Sequence, residues 1–270
     1  AEVGSAAFRL KRQQIADHPE RVPAALGRFD VPSRSPLLLD RMRAYEVADN
    51  PSTSAREVFL VEIMTGGRDN QYVRGALKAA SADANQDVRA LAGMLAARLG
   101  DDDTLGRLVR DADPNVAEAA ALDAAIARRK ALLPDIRKIL TDANDPRPRS
   151  AAACALAALD PTAAAATLPA MLSRAVDAND PALRDRLLDI MGDLNDDATA
   201  RAVMETIDRA DKAGLYPPAA ALLAAGRRKL PAAAPAVRRI LVDSVKMPQG
   251  LLVSQVHAAI LAANDLKMPV

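Results

Sequence analysis

One structural unit restarts along this chain about every 33 residues, and that repetition narrows its fold more than any other feature. The clearest copy runs from Asp83 to Val116. In it Val88, Leu91, Ala92, Leu95 and Leu99 fall on one helical face, at i, i+3, i+4, i+7 and i+11. Gly100 follows as a helix stop, and Asp101 to Asp103 supply N-cap acids for a second helix with Leu105, Leu108 and Val109 as its apolar stripe. The unit begins again at Asp113-Pro114-Asn115-Val116, Asn144-Asp145-Pro146, Asn179-Asp180-Pro181 and Tyr216-Pro217-Pro218. Aligned first-helix positions are Val88, Val116, Pro148, Leu183, Pro218 and Leu251, spaced 28, 32, 35, 35 and 33 residues apart. Pro134, Pro169 and Pro235 are read as marking the starts of second helices, since a first-turn N–H has no intrahelical partner to lose. Segments 119–140 and 219–241 repeat each other closely, three periods apart.

Such a unit cannot bury its apolar stripes alone, so neighbouring helix pairs must stack on one another. Composition supports helices throughout. Half the residues are apolar but only 2% are aromatic, and Ala makes up about a fifth of the chain. Ala and Leu favour helices, whereas strands draw on β-branched and aromatic residues. The expected fold is therefore all-α, an α-solenoid of stacked antiparallel helix pairs with a period of 28–35 residues.

The pattern Asp-x-x-Val-Arg-x-x-Ala, then Leu-Gly-Asp, then a second helix closing on Asp-x-Asp-Pro-x-Val resembles the HEAT family. The similarity is to the short bacterial HEAT-like repeats first described in phycobilin lyases, and it covers residues 83–262. It implies an architecture rather than a reaction, because such repeats serve many roles. The di-iron hydroxylases built on HEAT repeats carry His–Glu pairs that have no counterpart here.

The first 82 residues read as a divergent helical cap, ahead of a continuous array over 83–270. Five of the six aromatic residues lie there, and helices are expected near 5–16, 20–28, 36–48, 53–65 and 69–81.

No sequence constellation points to catalysis. His18 and His257 stand in unrelated contexts, Cys154 is alone, and no Gly-rich phosphate loop or nucleophile elbow is present. The acidic clusters at 101–103, 142–145, 177–180 and 193–197 sit where helix N-caps are needed. They lack the spacing of an EF-hand loop. Asp123 is the one acid that interrupts an Ala-rich helix face, and it is the residue on which an enzymatic reading would hang. The triplets Arg128-Arg129-Lys130 and Arg227-Arg228-Lys229 close first helices, where cations favour the negative end of the dipole. They are candidate interaction residues, as two basic spots on one edge roughly 30 Å apart if pairs stack at 8–10 Å.

The reading that follows is a non-enzymatic scaffold or adaptor that binds a protein and needs no cofactor or metal. The alternative is a periplasmic carrier for an apolar small molecule such as a lipid, held in the solenoid groove or between the N-terminal helices. Phe29, Tyr45, Phe59, Met64 and Tyr72 would line that site. A net charge of +1 and the shortage of aromatic residues argue against a nucleic-acid partner. No apolar run is long enough for a transmembrane helix. The Ala and Arg usage suggests a bacterial source, periplasmic or cytoplasmic, and the start at Ala1 without Met favours the exported form.

Overall fold

The computed structural model describes residues 71–143, 145–246 and 252–268. Among them the structure is all-helical, with twelve α-helices, two short 3₁₀ turns and no strand. The chain divides into two compact units, up to Leu159 and from Asp160. The sequence reading, with its boundary after residue 82, does not draw that division.

The described part of the first unit holds α1 (Gln71–Ala80), α2 (Gln86–Leu99), α3 (Asp102–Val109), α4 (Pro114–Ile126), α5 (Leu133–Asp142) and α6 (Pro146–Leu159). The first helices of successive pairs pack directly on one another, α2 on α4 and α4 on α6. The second helices α3 and α5 lie against them and against each other. The second unit holds α7 (Pro161–Asp177), α8 (Pro181–Met191), α9 (Asp197–Lys212), α10 (Ala219–Arg227), α11 (Ala234–Lys246) and α12 (Val253–Asp265). Here α8 packs on α10 and α10 on α12, while α7 packs on both α8 and α9.

Ala makes this packing close. Every residue from Ala119 to Ile126 in α4 is buried, as is every residue from Ser150 to Leu156 in α6. Along those stretches α4 packs on α2, α3 and α6, and α6 packs on α4 and α5. The second helices are ordinary amphipathic ones, burying Leu105, Leu108 and Val109 in α3 and Ile136, Ile139 and Leu140 in α5. Between α10 and α12 the backbones themselves approach. A Cβ at Gly226 would stand 2.8 Å from the Cα of Ala262, so only glycine fits there.

The ends follow a shared rule. Asn85, Asp101, Asp113, Asp160, Asp180 and Asp196 are N-caps whose side chains accept a backbone N–H. At the C-termini of α2, α4, α7, α9, α10 and α12 the chain turns through one left-handed residue, in turn Gly100, Arg128, Asn179, Gly214, Lys229 and Lys267. Each forms the paired Schellman bonds; at α10 these are Lys229 N to Gly226 O and Leu230 N to Ala225 O, both 2.8–2.9 Å.

One expected boundary is corrected. Pro134 and Pro235 do lie in the first turn of α5 and α11, but Pro169 does not begin a helix. The second helix there starts at Pro161 and runs unbroken past Pro169 to Asp177. Asp160 caps it by accepting the Ala163 N–H at 3.0 Å, so the Asp160-Pro161 pair sets the start.

Candidate interaction surface

The two basic triplets fall in different units, and half of their charge is spent inside the fold. Arg129 grips Asp102 with both arms, Nε to Oδ1 at 2.6 Å and Nη2 to Oδ2 at 2.8 Å, and also donates to the Gly100 carbonyl at 3.2 Å. It thereby ties the end of α4 to the α2–α3 junction. Arg227 donates to both the carbonyl and the carboxylate of Asp189, at 2.7 and 2.8 Å, across the bare backbone of Gly192. Arg228 is the most enclosed, with its side chain 7% exposed. Its guanidinium donates to the carbonyls of Leu194 and Asp196 and to the Thr199 hydroxyl, all in the α8–α9 junction. Arg128, Lys130 and Lys229 are exposed, and Arg128 and Lys229 occupy the left-handed positions.

The same logic recurs elsewhere. Arg89 clasps Asp111 through Nε at 2.8 Å and Nη2 at 2.9 Å, and holds the Asp83 carbonyl at 2.9 Å. Burial disfavours the charge on Asp111, but the hydrogen bonds from Arg89 and the Asp113 N–H outweigh it and hold the carboxyl below its ordinary range. Burial likewise opposes ionisation of Asp196. The Thr199 hydroxyl and N–H, with the nearby Arg228 charge, again win and lower its pKa. For Arg228 the balance runs the other way, since desolvation lowers its pKa against the pull of Asp196 and Asp197.

Asp123 is fully buried in α4, and a Cβ at Gly93 of α2 would lie 3.4 Å from its Oδ2. It belongs to the helix–helix contact rather than to an open cleft. A shallow groove within the second unit runs between α7 and α9, lined by Leu172, Val176, Thr206, Glu205 and Arg209. Arg209 is tied there to Asp177 at 2.7 Å. Of the residues assigned to a carrier site, Phe29, Tyr45, Phe59 and Met64 lie outside the described residues. Tyr72 is placed in α1 by its backbone alone. No helix among the described residues is long and apolar enough to cross a membrane.

Among the described residues, the exposed large apolar side chains are concentrated on the α11–α12 pair. Val245 is 83% exposed, Leu252 67%, Val253 85% and Ile260 53%, with Val242 and Leu261 more than a third exposed. On α12 the outward stripe reads Val253, His257, Ile260, Leu261 and Asn264, while Ala258, Ala259 and Ala262 turn inward onto Leu222, Val237 and Ile240. Repeat register shows what this stripe is. Ile260 stands seven residues before the left-handed Lys267, as Leu222 stands seven before Lys229. Leu222 is completely buried in the cluster that α12 completes, whereas its counterpart Ile260 is open.

No protein-family model, curated protein or solved structure matches this chain. The surface is therefore interpreted from its own chemistry. The sequence reading singled out charge where the fold needed charge internally. Ile260 and Val253 passed unremarked, because a helix written Ala-Ala-Ile-Leu-Ala-Ala looks like every other first helix.

Proposed function

We propose that this chain is a non-enzymatic, HEAT-like α-solenoid protein that acts as an interaction scaffold, with the outward face of α11 and α12 as its docking surface. The carrying observation is the open apolar stripe of α12 at a register where the preceding repeat is covered. Supporting it, first helices stack in sequence within each unit, the arrangement a solenoid extends. The polar residues that might have suggested chemistry serve as caps and clasps, and Asp123 is sealed between helices. An exposed apolar patch of this extent on a folded protein marks a contact site.

The test is a binding comparison between the wild-type chain and a Val253→Glu/Ile260→Glu variant. Cross-linking with mass spectrometric mapping should place protein contacts on α11 and α12 in the wild type and lose them in the variant. Contacts confined to other helices, or a tightly retained small molecule in place of any protein contact, would overturn the reading.

A further inference from the structure

We draw no further inference here: the strongest candidate, the open apolar face of the α11–α12 pair, belongs to the docking surface already proposed, and nothing in the structure shows what covers it.

Discussion

Arg228 shows how a single side chain can decide a junction. Its guanidinium donates to the Leu194 and Asp196 carbonyls and to the Thr199 hydroxyl, where α8 ends and α9 begins, and the Asp196 carbonyl also accepts the Ala200 N–H. Arg228→Ala should remove the shared donor that ties these three acceptors together and cost about 2–4 kcal/mol, measured by urea denaturation. Gly226→Ala should cost about 1–3 kcal/mol or more by the same measurement, because the added methyl meets the Ala262 backbone rather than a movable side chain. Lys229→Gly should do the reverse. A left-handed conformation strains any residue with a Cβ, so glycine should gain about 1 kcal/mol at a position whose side chain is exposed. The Asp111 clasp predicts a pH response. Its carboxyl pKa is lowered on folding, so its contribution is complete above the unfolded value near 4 and is lost as pH falls through the lower folded value. Asp111→Asn should therefore lower stability at pH 7 and flatten the loss of stability between about pH 4 and 2. Acid titration of the unfolding midpoint would check it.

At the scale of helices, the number, order and approximate starts of the elements from 83 onward were legible in the sequence. N-caps announce themselves as Asp or Asn before a helix, and all six Asn and Asp N-caps bond in the way their position implies. Burial was less legible. A stripe of Val88, Ala92 and Leu95 suggests a single inward face, yet α2 buries every residue from Ala92 to Ala97. Ala carries too little hydrophobic contrast for periodicity to distinguish one buried face from several. The two basic triplets were read as closing first helices, whereas α4 ends at Ile126 and α10 at Arg227, and Arg128 and Lys229 are the left-handed residues that follow. The candidate site was missed for a related reason. Cations clustered in sequence look like a surface feature, but Arg129 and Arg227 reach across to Asp102 and Asp189, 27 and 38 residues earlier. Pro169 was assigned by analogy with Pro134 and Pro235, and the α7 sequence simply begins its helix eight residues sooner. An internal proline deprives a helix of one hydrogen bond, so Pro169→Ala should stabilise α7 by about 1–3 kcal/mol, read as a raised thermal midpoint.

Over the described residues, helices pack on those near them in the chain, and where contacts are local in this way stability approaches a sum of local terms. Helices closed on all sides and those with an open face should accordingly differ in protection. Amide hydrogen exchange should be slowest in α4 and α6, buried along their central turns, and fastest in α12, whose outer side is in water. The direction of the arginine clasps adds an order in time. Arg129, Arg147, Arg209, Arg227, Arg228 and Arg239 each hold an acceptor roughly one repeat upstream. During synthesis the amino-terminal part emerges first. A junction such as that between α8 and α9 then waits for the ribosome to deliver the arginine that seals it. A chain halted before Arg228 would carry that joint unfinished, while the joint that Arg129 makes with Asp102 was already locked.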